Sequence, residues 1–190
     1  MLKNFDEIYA AVKSAGTKKR VALAAAHDKD ALISASEARR AGLADFVLIG
    51  DTEAISKILG DLGEKVSDYE LVESGSDAES AAIAASMVAE GRADAPMKGI
   101  LHTSVFLKAI LNSQLGLIDK KALLSQATVL YFEKEDRMMM ITDCAINVAP
   151  TFEEKLKIAQ NAVPAPKDLP EVELPAMAEQ DDFDVPALAP

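Results

Sequence analysis

The run Val21 to Ala26 places six apolar residues in succession, so both faces of any strand it forms are apolar. Such a strand has to be covered on both sides, and parallel sheets flanked by helices are where it occurs. Asp28 follows and can accept the first amides of a helix reaching to about Arg40. The same unit recurs along the chain. Phe46 to Ile49 reads as a second buried strand before a helix over 51–62. Tyr69 to Val72 reads as a third, before a helix that Ser76 and Glu79 open as a capping box and that Gly91 ends after Glu90. Upstream, Asn4 and Glu7 open a first helix that carries Phe5, Ile8, Tyr9 and Val12 on one face and stops near Gly16. Parallel strands need crossovers and helices are the usual ones, so the pattern predicts an α/β fold with a doubly wound, mostly parallel sheet. Ligands in such sheets bind beyond the carboxyl ends of the strands.

From Thr128 the pattern changes. Thr128 to Phe132 and Met138 to Thr142 flank the charged stretch 133–137 and read as an antiparallel hairpin, with Met138 to Met140 as adaptable core packing. Thr151 and Glu154 then cap a last helix with Phe152, Leu156, Ala159 and Val163 on one side. Residues 164–190 differ in kind: they hold six of the chain's eight prolines and one basic residue against seven acidic ones. Prolines so close together continue neither a helix nor a central strand, so the sequence predicts an α/β domain over 1–163 and a disordered, acidic, Pro-rich tail over 164–190.

Charge and cysteine content narrow the partners. A net charge of -11 repels phosphate backbones and anionic lipid, which argues against nucleic-acid and membrane-surface binding. No stretch approaches the ~20 apolar residues that span a bilayer. The single cysteine, Cys144, forms no internal disulfide and points to a reducing cytoplasm. It lies among small apolar residues with no histidine nearby, so the sequence favours an inert, buried thiol over a nucleophile.

Two stretches can carry chemistry. Residues 93–104 follow a helix stop and precede a helix with Phe106, Leu107, Ile110 and Leu111, which predicts a strand end, a turn and a helix start. Free amides at Thr103 and Ser104, close backbone approach at Gly99, and positive charge from Lys98 and Lys108 describe an anion-binding corner. The same residues also describe an ordinary turn capped by Thr103 or Ser104 with Lys98 solvated. The spacing is not that of a P-loop. In the second stretch Asp143 and Asn147 leave a hydrophobic strand in a loop that Pro150 ends. They can position a substrate group or simply bond their own backbone. His27 and His102 both follow predicted strands, and neither belongs to a metal-binding pattern, so no metal is expected.

Taken together, residues 21–28, Met97-Lys98-Gly99 with His102-Thr103 and residues 106–112, and above all residues 141–150 resemble the phosphate acetyl/butyryltransferases, the butyryl branch most closely. The resemblance covers 1–163 in the expected order. It implies reversible transfer of a short acyl group between coenzyme A and inorganic phosphate, both of them substrates, with no cofactor and with homo-oligomeric assembly of the full-length protein. It also implies catalytic roles for Lys98, His102, Asp143 and Asn147 and substrate contacts from His27, Gly99, Thr103, Ser104 and Lys108. Two departures follow from the same resemblance. Beyond Val163 the family continues for about as long again, with serine, arginine and aspartate groups that this chain lacks, so an incomplete catalytic set, or a non-catalytic domain with a partial coenzyme A or phosphate site, is the alternative. Pro96 stands where the family carries a large aliphatic residue and removes a donor from a sheet strand.

Overall fold

The structure, a computed structural model, describes residues 4–119 and 122–163. These divide into a larger unit, residues up to 124 with Leu130–Met139, and a smaller one, Ser125–Val129 with residues from Met140 onward. The proposed tail, 164–190, lies outside the described residues.

Four strands build the sheet of the larger unit: β1 (Lys19–Ala24), β2 (Ala44–Gly50), β3 (Glu70–Glu73) and β4 (Ala95–Lys98), in the order β3-β2-β1-β4. All pairings are parallel, with Leu23 beside Leu48, Val47 beside Glu70 and Ala24 beside Lys98. The helices are α1 (Phe5–Ser14), α2 (Lys29–Arg40), α3 (Thr52–Asp61), α4 (Asp77–Ala89) and α5 (Thr103–Ile110). Each face of the sheet has its own core. Leu23 and Leu48 meet Leu32 and Ala35 of α2 and Ile55 and Leu59 of α3. Ala22, Ala24, Val47 and Ile49 meet Ala81, Ala84 and Met87 of α4, with Val105, Phe106 and Ala109 of α5 packed alongside. The doubly wound arrangement is therefore present. Ala22 to Ala26 are fully buried, as a strand apolar on both faces requires.

The helix starts obey their caps. Asn4, Asp28, Asp51 and Ser76 each accept an amide three residues on. One detail differs from expectation: the Glu79 carboxylate accepts from the Gly75 amide at 2.8 Å, so the reciprocal arm of the capping box reaches one residue further back. β1 also ends earlier than its apolar run. Ala25 turns to φ 51, a left-handed value that carries strain in a residue with a Cβ, and takes the chain out of the sheet. Pro96 is absorbed because β4 is an edge strand among the described residues, where a missing donor costs least.

β5 (Ala127–Phe132) and β6 (Arg137–Thr142) pair as the two-stranded hairpin, turning through Asp136 at φ 46. Its methionines are no core: Met140 is half exposed. In the smaller unit α6 (Phe152–Ala162) opens with a full Thr151/Glu154 capping box, and Asn161 donates to Ser125 at 2.9 Å. The apolar side of this helix that the spacing picks out is exposed, with Phe152 81% and Leu156 52% accessible, while Ile158 is the buried residue. The Phe5, Tyr9 and Val12 face of α1 is likewise partly exposed, and that helix buries no residue. Periodicity identifies an apolar face; it carries no information about what covers it.

Candidate functional site

The chain runs from β1 outward to β2 and β3, then returns to place β4 on the other side of β1. The strand order thus reverses between β1 and β4, and at their carboxyl ends lies an open cleft of about 450 Å³ lined by Asp28, Asp77, Lys98, Gly99, Ile100, Leu101 and His102. This is the location that the topology of an open parallel sheet reserves for a ligand.

Backbone packing shapes the cleft floor. The Gly99 amide donates to Ala24 O at 2.7 Å and the Ile100 amide to Ala25 O at 3.2 Å, which carries the β1–β4 ladder past the strand ends. A Cβ on Gly99 would lie 2.3 Å from Ala25 O and 2.9 Å from Ala24 O, so the position excludes every larger residue. Glycine serves here for lack of space, not for left-handed freedom.

Lys98 closes β4, and its ammonium donates to Leu101 O at 3.1 Å and Gly99 O at 3.3 Å. Lys98 is an exposed residue, and its ammonium folds back over its own turn instead of projecting free into solvent. His102, not Thr103 or Ser104, is the N-cap of α5, and its side chain makes no capping bond. Thr103 and Ser104 are the first, exposed residues of the helix, so their hydroxyls precede no turn that they could cap. Lys108 sits in the last turn of α5, away from the cleft lining, where a cation favours the carboxyl end of the helix dipole.

His27 follows β1 but does not line the cleft. It packs over the end of β2: a Cβ on Gly50 would come within 2.7 Å of His27 Nδ1, which is buried and has no hydrogen-bond partner among the described residues. Two lining residues were not singled out for this role from sequence. Asp28 was assigned only as a cap, and it does accept from the Ala31 amide at 2.9 Å. Asp77 opens α4, and nothing in its spacing links it to Lys98; only the crossover brings them together.

In the smaller unit Asp143 adopts φ 54. Its carboxylate accepts the amides of Ile146 at 2.9 Å and Asn147 at 3.2 Å, and Asn147 Nδ2 donates to the other oxygen. The Asn147 side chain, followed by those amides, holds the Asp143 carboxyl below the usual carboxylate range. The pair closes its own loop. Cys144, inside that loop, is exposed, because the turn bonds the backbone on either side of it and leaves its side chain outside; the expected burial is not found. Among the described residues no cluster of three potential metal ligands occurs, and no helix is long and apolar enough to cross a membrane.

A parallel α/β unit with its cleft at the reversal of strand order, edged by a lysine-glycine turn and a helix start, places this chain in the class of open α/β folds whose ligands bind at the carboxyl edge of the sheet. The chain belongs to the phosphate acetyl/butyryl transferase family: the model described as "Phosphate acetyl/butaryl transferase" matches residues 51–178, which runs past the composition break after Val163 where the resemblance was expected to stop. It is 39% identical over 163 residues to the phosphate butyryltransferase of Clostridium acetobutylicum, covering 86% of this chain and 54% of that protein. It is 35% identical to that of Clostridium beijerinckii, covering all of this chain and 58% of that protein. The crystal structure of a branched-chain phosphotransacylase from Enterococcus faecalis matches with a TM-score of 0.60 at 28% identity, over 76% of this chain and 49% of that one. The fold is shared with a phosphotransacetylase from Streptococcus pyogenes at a TM-score of 0.69 and 18% identity, over 82% of this chain and 56% of that one. The chain spans just over half the length of these two butyryltransferases.

Proposed function

We propose that the β1/β4 cleft binds the anionic substrates of a phosphate acyltransferase, and that the chain serves transfer of a butyryl or similar short acyl group between coenzyme A and inorganic phosphate. The observation that carries this reading is the Lys98-Gly99 turn and α5 start lining the cleft of a chain that belongs to this family. In the forward reaction a phosphate oxygen attacks the thioester carbonyl, the carbonyl carbon becomes tetrahedral with charge on its oxygen, and the coenzyme A thiolate leaves as the acyl phosphate forms. Fixed donors at the developing charge lower that barrier. The helix-start amides at Thr103 and Ser104 meet phosphate oxygens, Lys98 serves catalysis from the turn that leads to them, and His102 at the mouth is the proton donor to the departing thiolate. Gly99 lets the backbone come close. Asp143 and Asn147 enter as the pair that fixes the loop after β6, His27 as a packing group on Gly50, and Lys108 as a more distant positive charge.

A second reading is favoured by the cleft's own makeup. Its lining contains one lysine against the carboxylates of Asp28 and Asp77, which is little positive charge for two phosphorylated substrates. A domain that binds coenzyme A or phosphate without turnover would have this composition. The exposed thiol supports a reducing, cytoplasmic setting. The exposed apolar faces of α1 and α6 support assembly into a homo-oligomer. Neither a cofactor nor a metal is part of the proposal.

The test is calorimetric titration of the 190-residue chain with phosphate and with coenzyme A, paired with phosphate-dependent thiol release from butyryl-CoA. Salt-sensitive binding with little or no turnover is expected. Robust turnover would remove the non-catalytic reading, and failure of both ligands to bind would remove the functional reading altogether.

A further inference from the structure

Resting on the reading that the cleft takes phosphate, we propose that Lys98 is a positioning residue: its ammonium shapes the 99–101 turn and acts on the anion through that turn instead of pairing with it. The bonds that the ammonium makes both run into its own turn. Two of the three ammonium protons are committed to Gly99 O and Leu101 O, at 3.3 and 3.1 Å. Those two carbonyls bracket the residues that carry the chain from β4 to α5, a stretch with no side-chain cap at His102 to hold it. On its other side the same stretch is tied by the Gly99 and Ile100 amides to Ala24 O and Ala25 O and by the buried Leu101 side chain. The turn is therefore clamped between β1 and the lysine. Without the ammonium, Gly99 O and Leu101 O lose their charge-assisted donor, and nothing else among the described residues replaces it. Leu101 is anchored in the core at the far end of the turn, but Ile100, 56% exposed, has no such packing, so the span between Gly99 and Leu101 is what the ammonium holds.

A direct charge contact and a clamp respond differently to salt. Coulombic attraction to a bound anion is screened as the Debye length falls from about 10 Å at 0.1 M to about 3 Å at 1 M, whereas a lost geometry is not restored by salt. The experiment compares phosphate affinity of the parent chain and Lys98→Ala at both salt concentrations, and reads amide hydrogen exchange at Ile100, whose N–H bonds Ala25 O. Loss of one charge-assisted bond corresponds to about a fivefold weaker Kd for Lys98→Ala. The clamp predicts that this ratio persists at 1 M salt, that Ile100 exchanges faster in the variant while the Tm stays close to the parent's, and that Lys98→Arg, which keeps the donors, restores both binding and protection. A ratio that collapses toward one in high salt, or Ile100 exchange that does not change, overturns the proposal and makes Lys98 an ordinary anion contact. If the parent binds no phosphate, the functional reading fails, and the exchange comparison alone decides whether the clamp exists. Should Lys98→Ala not fold, Lys98→Met, which keeps most of the stem and has no donor, is read the same way.

Discussion

Substituting Gly99 by alanine tests the tightest of the glycine positions. The new Cβ would stand 2.3 Å from Ala25 O and 2.9 Å from Ala24 O, where ordinary contact begins at 3.4 Å. Both obstacles are backbone atoms of a fully buried segment, so neither can swing aside as a side-chain tip would. Relief requires the turn to lift by about 1 Å, which breaks the Gly99–Ala24 and Ile100–Ala25 hydrogen bonds at roughly 1 kcal/mol each and adds about 1–3 kcal/mol of strain. The expected loss is about 3–5 kcal/mol, a large share of a typical domain's 5–15 kcal/mol, and close to 10 °C in Tm for a chain of this size. Urea unfolding followed by circular dichroism measures it. Gly60→Ala is the control: this glycine lies inside α3 with no atom within 4 Å of its added Cβ, and the change should stabilise by about 0.5–1 kcal/mol. If Gly99→Ala unfolds within about 0.5 kcal/mol of the parent, the close approach is not what fixes the turn.

Other contacts lead to further expectations. Tyr69 is buried, donates its hydroxyl between Ser36 and Glu64 at 3.1 Å to each, and lies under Arg39; Tyr69→Phe should cost about 1–2 kcal/mol by urea unfolding. Burial, above all, pushes the Tyr69 phenol above its ordinary range, so its ultraviolet titration should run at higher pH than that of an exposed tyrosine. The Asp94 carboxyl is held below its ordinary range, first by the Arg20 amide and then by the Lys19 ammonium. A carboxyl depressed in the folded state stabilises above its unfolded value and loses that contribution as pH falls through the folded one, so Asp94→Asn should flatten the acid side of the stability profile. Gly50→Ala would drive a Cβ to 2.7 Å from His27 Nδ1 at φ 152, and should lower the Tm and shift the His27 ring resonances together.

Much of the architecture is written locally. Asp28, Asp51, Ser76 and Thr151 announce helix starts because a side chain three residues from an amide can satisfy it without help from the rest of the fold. The apolar runs at 21–26 and 46–49 announce buried strands because nothing else tolerates them. What sequence does not carry is the partner of each face. Spacing puts Phe152 and Leu156 on one side of a helix without saying that this side is exposed, and Cys144 looks buried by its neighbours and is held out by the Asp143 turn. The site divides the same way. Lys98, Gly99 and His102 are adjacent in sequence and adjacent in the cleft. Asp77 reaches it from another helix, and His27, one residue from the lining Asp28, turns to Gly50 instead. Where Lys98 sends its protons depends on carbonyl directions that only the folded turn defines.

Chemical-shift mapping of the 190-residue chain during titration with inorganic phosphate at low ionic strength tests most directly whether the reversal point of the sheet is the anion site. The account predicts saturable shifts concentrated in the amides of 98–104, with smaller ones at Asp28 and Asp77, that fade as salt is added. Shifts confined to other surfaces, or none at phosphate concentrations that saturate an ordinary weak site, would contradict it.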